Sequence, residues 1–228
     1  MGFFRKLFGR EVQDQPTALE ATVGALTPGF MNQQVKKLPE DQKVPYALAM
    51  SVLLFAQLFA RSLRTQAREM PEWMRPDWPY PYDAILVEAA AFYYFTLMAP
   101  LRHAQDDADW EDDADEPTDP YLDTLHESLH LCATIVSEMS STPSFATLVP
   151  TRVAAYLSTR SSKTTNSVDK FAGFILRAWN PQKDGRPSLE LSGYPVIVQA
   201  GIASMPVAQI AESCRGLYDE KLKKPDAL

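Results

Sequence analysis

Glycine is scarce in this sequence, nine residues in 228, where an average chain carries about 7%. No Gly-rich phosphate-binding loop and no G-x-S-x-G nucleophile elbow occurs, so P-loop and α/β-hydrolase chemistry are excluded. Cysteine is scarcer still. Cys132 and Cys214 are the only two, which excludes a disulfide scaffold and makes a reducing cytoplasm the expected compartment. Positive charge is in deficit: 22 Lys and Arg against 29 Asp and Glu leave a net charge of −7. A main role in coating phosphate backbones is thereby excluded, and no nucleic-acid partner is expected. No internal repeat appears, nor the alternation of strands and helices that a parallel sheet needs.

What is present is proline, 18 residues of it, and the gaps between prolines read as helices because an interior Pro removes a backbone hydrogen bond. Thr17 with Glu20 forms a capping box that opens a helix to about Leu26, ended by Thr27-Pro28-Gly29. Proline-free residues 46–70 predict one long helix, apolar first and then basic, with Arg61, Arg64 and Arg68 on one face. Further helices are predicted at about 84–99, 121–141, 145–160 and 167–179, with a last one over about 204–221. Tyr194 to Ile202 is the one stretch that reads as a strand. The expectation is an all-α fold, a single globular bundle of six to eight helices. Residues 17–228 form that domain, with an acidic loop at 104–119 inside it, and residues 1–16 form an N-terminal segment.

That segment is amphipathic. Phe3, Phe4, Leu7 and Phe8 share one side of a helical wheel, and Arg5, Lys6 and Arg10 take the other. Rings opposite cations suit the headgroup layer of an anionic membrane surface, or a partner's groove. Its apolar part is broken by Arg5 and Lys6, so it is not expected to act as a signal peptide. Residues 44–60 and 191–211 are uncharged. A buried helix explains the first, and prolines and glycines interrupt the second.

Two loops are candidate partner surfaces. Residues 71–82 set Trp73, Trp78 and Tyr80 among four prolines, an extended segment bearing large rings. Nine carboxylates fall between Asp106 and Asp119 without the order of a calcium loop.

Residues 126–130 read His126-Glu127-Ser128-Leu129-His130, or H-E-x-x-H. On a helix this spacing sets two imidazoles about one turn apart, as two ligands of a tetrahedral zinc require. The pattern resembles the signature of the zincin metallopeptidases over 5 of 228 positions, without a following H-x-x-G-x-x-H extension. The resemblance implies zinc on His126 and His130, with Glu127 as general base. His103 is the remaining histidine and the candidate third ligand, in an arrangement similar to the three-histidine sites of DinB-like bundles. Glu127-x-x-His130 also matches half of a di-iron carboxylate site, with Glu88 as a further carboxylate. Otherwise Glu88, in an apolar helix, needs an ion pair, and Arg61 or Arg64 is the expected partner. Leu122, Leu125, Leu129, Cys132, Val136 and Met139 form the stripe expected to face the core, with both histidines at its rim.

The function expected is therefore a non-enzymatic helical interaction or adaptor protein. It has a protein partner, no cofactor, and attachment to a membrane surface through residues 3–10. The first alternative is a zinc-dependent hydrolase built on His126, Glu127 and His130. The second is a small-molecule sensor holding an apolar ligand among Phe55, Phe92 and Tyr93.

Overall fold

The computed structural model describes residues 15–69, 80–106, 120–157 and 167–179. Among them are seven helices and no strand: α1 (Ala18–Ala25), α2 (Pro28–Val35), α3 (Glu40–Glu69), α4 (Tyr82–Asp106), α5 (Pro120–Ser140), α6 (Pro143–Leu157) and α7 (Ser167–Trp179). The protein is all-α, as its sequence predicts. The expected strand at 194–202 and the last expected helix lie outside the described residues.

The capping box operates as read. Thr17 Oγ1 accepts from the Glu20 amide at 3.0 Å and donates to Asp83 Oδ1 at 2.6 Å, so one hydroxyl caps α1 and ties it to the start of α4. Thr27-Pro28-Gly29 does more than end α1. Thr27 Oγ1 accepts from the Phe30 amide at 3.2 Å, and Pro28 occupies the first turn, where its missing N–H costs nothing. The stretch read as a terminator is thus also the start of α2, which the sequence reading did not assign.

Two other prolines are tolerated against expectation. α3 starts at Glu40, not 46, and takes in Pro45 in its second turn, at the cost of one backbone bond. α4 runs past Pro100 to Asp106, so the segment expected as acidic loop from 104 begins in helix. Between α5 and α6 the chain turns on Ser141, a non-glycine residue at φ 55°. The Thr142 amide donates to the Ser137 carbonyl at 3.0 Å, closing the end of α5, and Ser137 Oγ accepts from the Ala146 amide at 2.9 Å in the first turn of α6.

Four helices pack in a cycle: α3 on α4, α4 on α6, α6 on α5, and α5 back on α3. α1 contacts α3, α4 and α5, α2 lies on α3, and α7 lies on α4. Aromatic rings from four helices fill the interior. Phe92 stacks on Phe171 with centroids 4.2 Å apart, Phe59 meets Phe171 at 5.4 Å, and Tyr156 meets Phe92 edge-on at 5.9 Å. By length and composition α3 could cross a membrane, but 61% of its most apolar window is buried inside the protein. Ala49, Met50, Val52, Leu53, Ala56 and Leu63 are among the residues that face this core.

Candidate functional site

α5 carries the H-E-x-x-H string and presents three distinct faces. Leu122, Leu125, Leu129, Cys132 and Val136 are buried, as the stripe predicts. Met139 is a correction: it is 48% exposed. It sits at the stripe's edge, about 60° round the helix from Val136, and turns toward solvent.

On one side of this core face lie His126 and His130, both exposed. The His126 ring sits 6.1 Å from that of buried Tyr94 on α4. On the other side Leu131, Ile135 and Met139 follow at i, i+4 and i+8, with Leu131 43% exposed and Ile135 half-buried. Glu127 is exposed and lines a small cleft of about 170 Å³, with Leu131 and Ser128 on its own helix and Leu38, Gln42 and Tyr46 opposite. The carboxylate and the two imidazoles therefore stand on adjacent faces of one helix, with the carboxylate beside the apolar stripe. Among the described residues, no three His, Cys, Asp or Glu side chains come together as a metal-holding group. His103 lies near the end of α4, and its side chain is outside the described residues, so the proposed third ligand is not placed.

Beneath this surface Cys132 is a free, buried thiol. Burial pushes it well above the usual thiol range, only partly offset by a hydrogen bond with Tyr46. Burial and the neighbouring Cys132 push the Tyr46 phenol up to about 12. Neither group is a nucleophile near neutral pH.

Two arginines expected on one basic face of α3 both reach a buried carboxylate. Arg64 Nη2 meets Glu20 Oε2 at 2.6 Å and Arg61 Nε approaches Glu20 Oε1 at 3.7 Å, so the N3 carboxylate of α1 is held by α3. The Arg64 guanidinium also lies 4.7 Å from the centre of the Tyr82 ring and 5.2 Å from that of Tyr80. These pairings correct the partner expected for Glu88. Its Oε1 accepts from Arg152 Nε of α6 at 2.7 Å. The choice could not be made in sequence, because the two residues lie on different helices that pack only in the folded chain.

The Glu88–Arg152 pair borders a larger cleft, of about 300 Å³. Leu19 of α1, Val87 of α4, and Phe145 and Leu148 of α6 form its apolar walls. Asp83, Glu88, Arg152, Thr142 and Ser144 supply its polar groups. Of its residues the sequence marked only Glu88, since the lining comes from three helices and the turn before α6 with no local motif. Arg152, Lys170 and Arg177 gather around the Phe174 ring at 4.7, 5.9 and 5.0 Å from its centre.

Of the proposed partner surfaces, Tyr80 is corrected: it is buried, and its hydroxyl donates to the Ala60 carbonyl at 3.0 Å. It packs onto α3 and is closed to a partner. Trp73 and Trp78 lie outside the described residues, as do Phe3, Phe4, Arg5, Lys6, Leu7, Phe8 and Arg10. Of Phe55, Phe92 and Tyr93, expected to surround an apolar ligand, Tyr93 meets Phe55 at 6.4 Å and Phe92 at 5.8 Å, and Phe59 and Phe171 pack against Tyr93 and Phe92. The chain matches no family model, and no curated protein and no solved structure is detectably similar to it.

Proposed function

We propose that this chain is a non-enzymatic helical interaction protein that docks a basic, amphipathic partner segment along the exposed face of α5. The carrying observation is the run Leu131, Ile135 and Met139, three apolar side chains at helical spacing that no neighbouring helix fully covers. A ridge of this spacing is what a second helix lays its apolar face against. Exposed Glu127 and Glu138 lie along one side of the ridge, and the chain as a whole carries −7, so the complementary partner is cationic. The aromatic and basic sides of residues 3–10 support a second contact, with an anionic membrane surface. The free thiol of Cys132 fits a cytoplasmic protein.

A photo-crosslinking residue at position 135 tests the docking face in cells. A discrete crosslinked partner is expected, and it disappears from the double variant Leu131→Asp, Met139→Asp, whose positions are exposed enough to leave the fold intact. Retention of the same adduct by the variant overturns the assignment. Deletion of residues 1–10 should abolish co-sedimentation with anionic vesicles, and unchanged co-sedimentation removes the membrane contact.

The zinc-hydrolase reading draws on one observation, that His126 and His130 stand exposed one turn apart on the same face of α5. Metal content of protein purified without chelators decides between the two readings.

A further inference from the structure

We propose that the cleft between α1, α4 and α6 binds a small organic ammonium ion, a monocationic amine with an apolar body. The inference is independent of the docking face on α5. Three observations carry it. The first is an oxygen without a partner. The Glu88 side chain is 7% exposed; its Oε1 is held by Arg152, while its Oε2 is buried and has no hydrogen-bond partner. Each buried carboxylate oxygen left without a donor has lost its water without replacement, and an N–H of the ligand supplies the missing bond.

The second is charge. Asp83, Glu88 and Arg152 line the cleft, two carboxylates against one guanidinium, with Arg177 acting on Glu88 from outside the lining. Thr17 Oγ1 donates to Asp83 Oδ1 only, and no cationic side chain is paired with Asp83 among the described residues. One ammonium group balances the site, whereas an anionic ligand meets two carboxylates. Burial holds the Glu88 carboxyl above its ordinary range while Arg152 and then Arg177 oppose the rise, so an added cation acts in the same direction as these arginines.

The third is shape. About 300 Å³ is the lower end of the size range for small-molecule sites. The walls at Leu19, Val87, Phe145 and Leu148 suit an alkyl or aryl body and give a bare metal ion nothing to coordinate. Arg152 is 39% exposed, so its side chain can swing outward and admit the ligand nitrogen to Oε2 while the apolar walls stay in place.

The probe is n-hexylammonium chloride, titrated calorimetrically into the full chain, with hexanol and sodium hexanoate as neutral and anionic counterparts. Saturable binding of one hexylammonium per chain is expected, at least tenfold tighter than hexanol, with no binding of hexanoate. Glu88→Gln should weaken hexylammonium at least tenfold. Because that change touches a buried pair, Ala84→Phe serves as the second variant: Ala84 is exposed and lines the cleft, so the added ring narrows the site without entering the core. It too should weaken binding at least tenfold, and it carries the test alone if Glu88→Gln does not fold. Absence of saturable binding to the wild-type chain overturns the proposal. So does equal affinity for hexanoate, or unchanged affinity in Ala84→Phe.

Discussion

Replacing Arg152 by methionine keeps an unbranched apolar stem beside Phe174 and removes the guanidinium that faces Glu88. Breaking a fully buried ion pair from one side costs about 3–5 kcal/mol, because the remaining charge stays buried and unpaired. Glu88 meets that condition at 7% side-chain exposure, but Arg152 at 39% does not, so water already screens part of the interaction. A cost of about 2 kcal/mol near pH 7 follows, equivalent to a fall of about 4–8 °C in Tm for a chain of this size. The pH dependence carries the more specific content. The folded-state pKa of Glu88 is raised above its ordinary 4.5, with burial the leading cause. A carboxyl so raised contributes stability that is present below the unfolded pKa and lost as pH rises through the folded one. Removing Arg152 removes the main force opposing that rise, so the variant loses more than the wild type as Glu88 ionises. Urea unfolding followed by circular dichroism should find the two proteins within about 0.5 kcal/mol of each other near pH 4 and about 2 kcal/mol apart near pH 8. Adding Glu88→Gln to the variant should restore most of the loss near pH 8. A penalty of the same size at both pH values would refute the reasoning, since it would then arise from packing and not from the unpaired, buried charge on Glu88.

Two further outcomes follow from the same structure. Thr17→Ala removes the cap of α1 and the hydrogen bond to Asp83 together, and should cost about 1–2 kcal/mol by urea unfolding; a cost below about 0.3 kcal/mol would show that α1 is not held by its cap. In a Cys214→Ser background, Cys132 should resist a thiol reagent in the folded protein and react fully once unfolded, because burial keeps it protonated and covered.

The helices were legible where a local signal sufficed. The Thr17–Glu20 box, the proline-free run through α3 and the bounds of α7 follow from capping and periodicity alone. Prolines misled in both directions. Pro28 read as a stop because a turn and a helix start use the same residues, and only the Phe30 amide on Thr27 distinguishes them. Pro45 and Pro100 read as boundaries, yet α3 and α4 run through them. Packing on neighbouring helices outweighs the local cost of a lost backbone bond there. The site was less legible. The wheel placed His126 and His130 at the rim of the core stripe, which the burial pattern matches. It could not give Glu88 its partner, since Arg152 and two other arginines were equally available in sequence and only the packing of α4 on α6 selects one. The ammonium cleft was invisible for the same reason. Its residues share no spacing, only a place.

The central claim is that the paired imidazoles of α5 sit on an open helix face and that the chain acts by docking, without chemistry at a metal. Atomic absorption on protein purified without chelators, with the His126→Ala, His130→Ala double variant as reference, addresses it most directly. Zinc and iron far below one atom per chain, and indistinguishable from the double variant, is the predicted result. One tightly held zinc per chain that the double variant loses would contradict it.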